Sequence, residues 1–180
     1  MQRQFQQTGL PVGWLGAPAQ FTLRQQSTSQ QLLVITDMQS NFKEASHRRL
    51  LDHVCRLIDY AISQNWPIAV LEFSGQGQTL SAVAERLAGY SNWFPVMKTT
   101  NDGSHQLLAQ CQSRGLKVKR FIVCGVSINA CVRETVCGLA YSSEQPSVSV
   151  IIEACGDHYP PRWDLYPEAS NVTLLPSLLH

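Results

Sequence analysis

A cysteine in the segment VCGVSINACVRETV, residues 123–136, stands where a thiol can act as a nucleophile. An apolar run ends at Gly125, a short polar turn follows, and Cys131 comes near the start of a segment whose pattern predicts a helix. The free N–H groups and the dipole at a helix start favour negative charge, so we expect the Cys131 thiol to ionise more readily than a free thiol. The alternative is a small buried hydrophobic residue.

Two charged residues close other predicted strands and suit the chemistry of such a nucleophile. Asp37 ends the run QLLVITD and is able to take the thiol proton and return it to a leaving group. Lys98 ends NWFPVMK and is able to keep that carboxylate ionised and stabilise a thiolate. Each also has an ordinary explanation, because an aspartate orders a turn and an edge-strand lysine points to water. A shared role requires the fold to bring all three together.

Apolar runs alternate with helical periodicity along the chain from residue 31 onwards. The predicted strands are Gln31–Asp37, Pro67–Phe73, Asn92–Lys98, Arg120–Gly125, Ser147–Glu153 and Asn171–Leu175. The predicted helices are Glu44–Gln64, Thr79–Ala88, Ser104–Arg114 and Ala130–Tyr141. This alternation predicts an α/β protein with a six-stranded, mainly parallel sheet covered on both faces. For such a three-layer α/β/α Rossmann-like fold we expect the strand order 3-2-1-4-5-6.

The predicted sheet places the three reactive residues at one edge, because the carboxyl ends of its strands lie together. The third strand, which we expect at the sheet edge because of Pro95, lies two positions from the first, a gap of about 9 to 10 Å. Lys98 therefore has to point inward to reach Asp37.

Composition limits the compartment and the partners. At 180 residues, with a net charge of +1 and 15% charged residues, the chain is expected to form one domain without a nucleic-acid partner. It contains no apolar run of about 18 residues and no signal-peptide pattern, so we expect a soluble cytoplasmic protein without a membrane partner. Six cysteines without a CxxC pair predict free thiols and argue against structural zinc. Residues 1–30, rich in Gln, Ser and Thr, predict an irregular arm before a domain over 31–180.

Three segments resemble the isochorismatase-like cysteine hydrolases. LLVITDMQSNF resembles their first-strand signature, an apolar strand followed by D-x-Q and Phe; VMKTTNDGS resembles their lysine segment; and VCGVSINACVRETV resembles their G-V-x-x-x-x-C-V-x-x-T nucleophile segment. The resemblance spans about residues 31–155. It implies this family's fold for the domain.

The resemblance also implies a catalytic site. It implies a triad of Cys131, Asp37 and Lys98, a cis peptide bond between Val126 and Ser127, and an oxyanion hole formed by the backbone N–H groups of Ser127 and Cys131. It further implies a small-molecule substrate, no cofactor and a homo-oligomer, either a dimer or a tetramer.

The segment after the second strand departs from the nicotinamidases of this family, which bind a divalent metal there through Asp and His. Here it reads VLEFSGQGQT, without Asp or His, so we expect no metal. Four residues are candidates for substrate binding, each with a structural alternative in a turn, strand end or core: Gln39, Phe42, Glu72 and Asn129. The segment TTNDGS after Lys98 also departs from the Ser-Ala-Phe found in many members.

The expected function is that of a metal-independent cysteine hydrolase acting on a small amide, ureido or related compound through a covalent thioester-type intermediate. One alternative is a vinyl-ether hydrolase, in which Asp37 is the acid and no cysteine nucleophile is needed. Two others are a non-catalytic binding protein with the same fold and a thiol redox protein.

Overall fold

The computed structural model describes residues 30–178 and confirms the predicted α/β architecture. The strands are β1 Gln31–Thr36, β2 Ile68–Phe73, β3 Trp93–Lys98, β4 Arg120–Val126, β5 Ser147–Gly156 and β6 Val172–Leu175. The helices are α1 Arg48–Ser63, α2 Ser81–Leu87, α3 Ser104–Ser113 and α4 Arg133–Ala140. The arm predicted for residues 1–30 lies, apart from Gln30, outside the described residues.

The six strands form one sheet in the predicted order, β3-β2-β1-β4-β5-β6, and every neighbouring pair is parallel. The central strand β1 is buried along its whole length after Gln31, as its continuous apolar sequence predicts for a sheet covered on both faces. Strand β3, which contains Pro95, is an edge strand, where a missing N–H donor costs no ladder bond. The carboxyl ends of β1, β3 and β4 therefore open on the same side.

The helices cover the two faces of the sheet and divide the core into two layers. On one face, α1 and α2 pack on the sheet through buried residues that include Val54, Leu57 and Ile58, which recur at helical spacing along α1. On the other face, α3 and α4 bury a second apolar layer that includes Leu107 and Leu139. In the described part of the chain, no helix is both long enough and apolar enough to span a membrane.

The structure changes some element boundaries near the candidate site. Helix α1 begins at Arg48 rather than Glu44, because Lys43–Ser46 forms a separate 3-10 turn. Strand β5 runs on to Gly156, beyond the predicted end, after a register shift in its pairing with β4. Cys131 lies in a π-helical turn, Ile128–Val132, that precedes α4.

Gly125 brings β4 unusually close to β1 just before this turn. It pairs with Thr36, the residue before Asp37, and its φ of 116° lies in a region that residues with a side chain rarely adopt. A Cβ atom at Gly125 would lie 2.1 Å from the Thr36 carbonyl oxygen. The backbone itself is in the way, so a side chain cannot be accommodated by a change of rotamer.

We therefore expect Gly125→Ala to lower the free energy of unfolding by about 3 kcal/mol or more, since it combines an unfavourable φ with a backbone clash. Gly89→Ala is the matched control: Gly89 has a φ of 83°, but a Cβ there meets nothing within 4 Å. Gly89→Ala should lower the free energy of unfolding only by the cost of the unfavourable φ, about 1 to 2 kcal/mol. Urea unfolding of both variants measures the difference, and equal losses would contradict the role given to the close approach.

Candidate functional site

Lys98 and Asp37 form an ion pair at the carboxyl edge of the sheet. The Lys98 Nζ atom lies 2.8 Å from the Asp37 Oδ2 atom, and both side chains are 0% exposed. The Lys98 amine thus points inward from the edge strand, across the end of β2, rather than towards water. It also donates to the carbonyl oxygens of Thr100 at 3.1 Å and Asn101 at 3.4 Å, and lies 4.4 Å from the centre of the Phe73 ring.

Asp37 is held by the backbone immediately after β1. Its φ of 52° turns the chain out of the strand, while its N–H still donates to the Leu71 carbonyl at 3.0 Å. Burial raises the pKa of the Asp37 carboxyl above its ordinary value of 3.8, against the opposing effect of the Lys98 charge. Its Oδ1 atom has no hydrogen-bond partner among the described residues.

Cys131 is buried beside this ion pair and is 4% exposed. Its thiol donates a hydrogen bond to the Asn101 Oδ1 atom at 3.5 Å. Burial, and next the negative charge of Asp37, raise the pKa of the Cys131 thiol to about 12, although the Lys98 charge opposes them. The expectation of a thiol acidified by a helix start is therefore wrong. Desolvation outweighs the helix terminus, and the resting sulfur carries its proton.

The turn that carries Cys131 has an unusual backbone. The Val126–Ser127 peptide bond is cis. The Ser127 carbonyl accepts hydrogen bonds from the N–H groups of Ala130 at 3.1 Å and Val132 at 3.0 Å, whereas the N–H of Cys131, between them, does not bond to it. The N–H of Ser127 donates to no other residue within 30–178. The N–H groups of Ser127 and Cys131 are thus not used in the backbone hydrogen bonds of this turn.

Side chains from distant parts of the chain fix this turn. The Ser127 hydroxyl donates to Glu44 Oε1 at 2.7 Å, and the Asn129 N–H donates to Asp157 Oδ2 at 2.7 Å. The buried Tyr166 hydroxyl donates to the Ile128 carbonyl at 2.9 Å. Residues from before α1 and from after β5 therefore hold the turn that carries Cys131.

Two of the four residues predicted to bind substrate have their side-chain amides committed to the backbone instead. Gln39 is 2% exposed; its Nε2 donates to the carbonyls of Phe73 at 3.2 Å and Gly77 at 2.8 Å, and its Oε1 accepts from the Phe73 N–H at 2.8 Å. The Asn129 side chain bonds to the Pro160 carbonyl at 3.1 Å and to the Arg162 N–H at 2.8 Å. These amides connect loops, and a role of either residue in substrate binding stays a prediction.

The other two candidates are also placed by structural contacts. Phe42 is half-buried and packs against the core under α1. Glu72 accepts a hydrogen bond from the Thr79 hydroxyl, which ties the end of β2 to the segment before α2. Neither contact involves the thiol or the ion pair.

A cavity of about 610 Å³ lies beside the turn, between the start of α1 and the end of β5. Glu44 and Asp157, the two carboxylates that hold the turn, both line it. Within residues 30–178, no three His, Cys, Asp or Glu side chains are grouped so that they could hold a metal ion.

Sequence reasoning missed Asn101, Glu44 and Asp157. All three touch the nucleophile turn or the thiol, but none stands in a recognisable motif. Only Asn101 had a related sequence feature, because it lies in TTNDGS, the segment that departs from the family's Ser-Ala-Phe pattern. Their contacts join residues 28 or more positions apart, which spacing along the chain does not reveal.

Comparisons with known proteins show the family and the fold. Residues 31–165 match the family model of the isochorismatase domain, a range that contains Asp37, Lys98 and Cys131. No curated protein matches the chain in sequence.

Several solved structures share the fold. The MAR1 ribonuclease from Caenorhabditis elegans is 24% identical, with a TM-score of 0.61, over 71% of this chain and 65% of that chain. The N-carbamoylsarcosine amidase from Thermoplasma acidophilum is 14% identical, with a TM-score of 0.63, over 80% of this chain and 94% of that chain. A nicotinamidase from Staphylococcus aureus is 16% identical, with a TM-score of 0.61, over 72% of this chain and 85% of that chain. At these identities the likeness establishes the fold.

Lys98→Met tests the buried ion pair through the pH dependence of stability. Because the pKa of Asp37 is raised on folding, the folded protein binds more protons than the unfolded chain, and this group's contribution to stability falls as pH rises above 3.8. Loss of the Lys98 charge raises the pKa of Asp37 further, so the stability of the variant should keep falling up to a higher pH than that of the wild type. We expect a loss of about 3 to 5 kcal/mol at pH 8 that shrinks towards pH 4.

Urea unfolding between pH 4 and pH 8 measures this effect, and the double variant Asp37→Asn, Lys98→Met is the control. It removes both charges, so the added pH dependence should vanish. A single variant whose stability follows the wild-type pH profile would contradict a functional ion pair.

Alkylation by iodoacetamide tests the protonated resting thiol. With a pKa of about 12, Cys131 should react at pH 8 at least about 100-fold more slowly than a free thiol of pKa about 8.5. Asp37→Asn should speed the reaction because it removes a charge that raises the pKa, and Lys98→Met should slow it. Peptide mass spectrometry measures the modified fraction. An alkylation rate equal to that of a free thiol, or a rate that neither substitution changes, would contradict the electrostatic coupling of Cys131 to Asp37 and Lys98.

Proposed function

The chain belongs to the isochorismatase family, and we propose that it is a metal-independent cysteine hydrolase that cleaves a C–N bond in a small amide or ureido compound. The observation that carries this proposal is the buried Lys98–Asp37 ion pair, 2.8 Å across, beside the thiol of Cys131. A nucleophile, a proton acceptor and a fixed positive charge are thereby grouped in a site from which water is largely excluded.

In the first half of the reaction, Asp37 takes the thiol proton of Cys131 as the sulfur attacks the carbonyl carbon. A C–S bond forms and the carbonyl π electrons move to oxygen. When this tetrahedral intermediate collapses, the C–N bond breaks and Asp37 gives its proton to the leaving nitrogen. The products are a free amine or ammonia and a thioester, or a thiocarbamate from a ureido substrate, on Cys131.

In the second half, Asp37 takes a proton from water as the water oxygen attacks the same carbon. Collapse breaks the C–S bond, releases the acid or carbamate, and returns the proton to sulfur. The proton moves only between Asp37 and its immediate neighbours, so the net charge of the site is constant until products leave. Lys98 therefore compensates whichever of Asp37 and Cys131 is negative.

The backbone N–H groups of Ser127 and Cys131 are the proposed oxyanion donors. The hydrogen bonds that hold the turn, from Ser127 to Glu44 and from Asn129 to Asp157, fix the direction of these donors before substrate arrives. Donors held in this way stabilise the developing O⁻ without reorganising during the reaction, an effect worth about 3 kcal/mol per donor.

A second candidate function is vinyl-ether hydrolysis with Asp37 as the acid. One observation favours it: burial raises the pKa of the Asp37 carboxyl, which increases the fraction of the acid form, while the pKa of Cys131 is raised to about 12. In that reaction the cysteine is not needed as a nucleophile.

By resemblance to the family we also propose a small-molecule substrate and a homo-oligomer, with no cofactor. Sedimentation of the full chain measures the oligomeric state directly.

Turnover of a panel of small amides, ureido compounds and vinyl ethers tests the proposal. For C–N cleavage, Cys131→Ala should lower kcat/KM by about 10⁴-fold or more, and intact-protein mass spectrometry should show an acyl or carbamoyl adduct that this variant lacks. Cys137→Ala, a half-buried cysteine farther along α4, is the control and should keep its activity.

The same experiment separates the alternatives. Loss of turnover in Asp37→Asn with retention in Cys131→Ala would replace amide chemistry with vinyl-ether chemistry. No turnover of any compound by the wild-type protein, together with no adduct, would contradict both and favour a binding protein.

A further inference from the structure

The loop between β3 and α3, residues 99–103, connects the lysine of the site to its cysteine. The loop begins directly after Lys98. Its middle residue, Asn101, is exposed, and its side chain contacts Cys131. This segment is one of the two that depart from the family pattern.

The backbone of Asn101 is tied to both sides of the site. Its carbonyl oxygen accepts hydrogen bonds from the Lys98 ammonium at 3.4 Å and from the Thr135 hydroxyl at 3.4 Å. Thr135 is 0% exposed and stands four residues after Cys131, one helical turn along the nucleophile segment. The same hydroxyl accepts from the Gly103 N–H at 3.1 Å. The loop is therefore fastened at both Asn101 and Gly103.

Close packing of α4 against this loop fixes their relative position. A Cβ atom at Gly138 would lie 2.1 Å from the Ser104 Oγ atom and 2.7 Å from an Asp102 carboxylate oxygen. The Asp102 carboxylate in turn accepts from the Ser104 N–H at 2.7 Å. The loop and the start of α3 thus pack directly against α4, with no space between them for a side chain at residue 138.

The side chain of Asn101 makes the contact that matters chemically. Its Oδ1 atom accepts the thiol hydrogen of Cys131 at 3.5 Å, although Asn101 itself is exposed and the thiol is 4% exposed. An exposed side chain in contact with a buried thiol forms part of the cover between that thiol and solvent. No requirement of core packing accounts for an exposed amide at this position.

We propose that Asn101 is a positioning residue for the nucleophile, whose carboxamide oxygen holds the thiol hydrogen of Cys131 in the resting protein. This inference rests on the proposed role of Cys131. An acceptor on the S–H group stabilises the neutral thiol and keeps its sulfur in one orientation. A carboxamide also carries an N–H₂ donor, so rotation about its terminal bond offers a hydrogen bond to the thiolate once Asp37 has taken the proton.

Asparagine suits both states, whereas aspartate suits only the protonated thiol. A carboxylate keeps the acceptor oxygen and the shape of the side chain but lacks the N–H₂ donor and adds a negative charge next to the sulfur. The pair of substitutions Asn101→Asp and Asn101→Ala therefore separates the hydrogen bond from the simple presence of a side chain.

The pH profile of Cys131 alkylation by iodoacetamide, read by peptide mass spectrometry, is the test. Asn101→Asp should lower the rate at pH 8 by about tenfold or more and move the pH profile upward by roughly one unit. Asn101→Ala should raise the rate at pH 8 by about three- to tenfold, because it removes one hydrogen bond and part of the cover.

Thr99→Asp is the matched control. Thr99 is exposed on the same loop, and its side chain makes no hydrogen bond or ion pair within residues 30–178, so it introduces the same charge without the contact. A shift in Asn101→Asp no larger than that in Thr99→Asp, or an unchanged rate in Asn101→Ala, would overturn the inference.

Alkylation needs no substrate, so this result is independent of turnover. If Cys131→Ala keeps full activity on the amides, ureido compounds and vinyl ethers, the proposed covalent mechanism is wrong. The alkylation profiles still test the contact between Asn101 and the thiol. If amide turnover is found, Asn101→Asp should lower kcat more than it raises KM, because the contact acts on the nucleophile and not on substrate affinity.

Discussion

The ion pair between Lys98 and Asp37 is the interaction on which the site depends. Removing two charges entirely from water costs several kcal/mol for each ion, and a pair is tolerated only when geometry and further hydrogen bonds compensate. Here the distance of 2.8 Å, two backbone carbonyls and the Phe73 ring supply that compensation. The pair also joins an edge strand to the centre of the sheet across β2. It thereby links the ends of β1 and β3, which are not neighbours in the sheet and share no ladder hydrogen bond.

Burial of this pair explains the state of the thiol. The same exclusion of water that strengthens the attraction between Lys98 and Asp37 disfavours a second negative charge at Cys131. The sulfur therefore keeps its proton in the resting protein. A buried, protonated thiol is protected from adventitious oxidation and alkylation.

Support for the nucleophile comes from three separate parts of the chain. Glu44 precedes α1, Asp157 follows β5, and Asn101 follows β3, yet all three converge on the turn between β4 and α4. Hydrogen bonds from several rigid elements hold a reactive group more narrowly than its own loop does, which is the structural basis of preorganisation. The approach of Gly125 to Thr36 completes this arrangement, because it brings the turn against the residue that precedes Asp37.

The sequence by itself determined the architecture and the three reactive positions. Alternation of apolar strands with amphipathic helices predicts the parallel sheet and its order, and strand ends in such a sheet share one edge, so Asp37, Lys98 and Cys131 were predictable as neighbours. Side-chain direction and burial were decided only by the tertiary structure. Four features depend on segments that are far apart in the chain. They are the inward direction of the Lys98 side chain, the hydrogen bonds by which Gln39 and Asn129 join loops, the raised pKa of the Cys131 thiol, and the contact between Asn101 and that thiol. Local sequence encodes the period and ends of an element, but the dielectric environment and partners of a side chain are properties of the packed molecule.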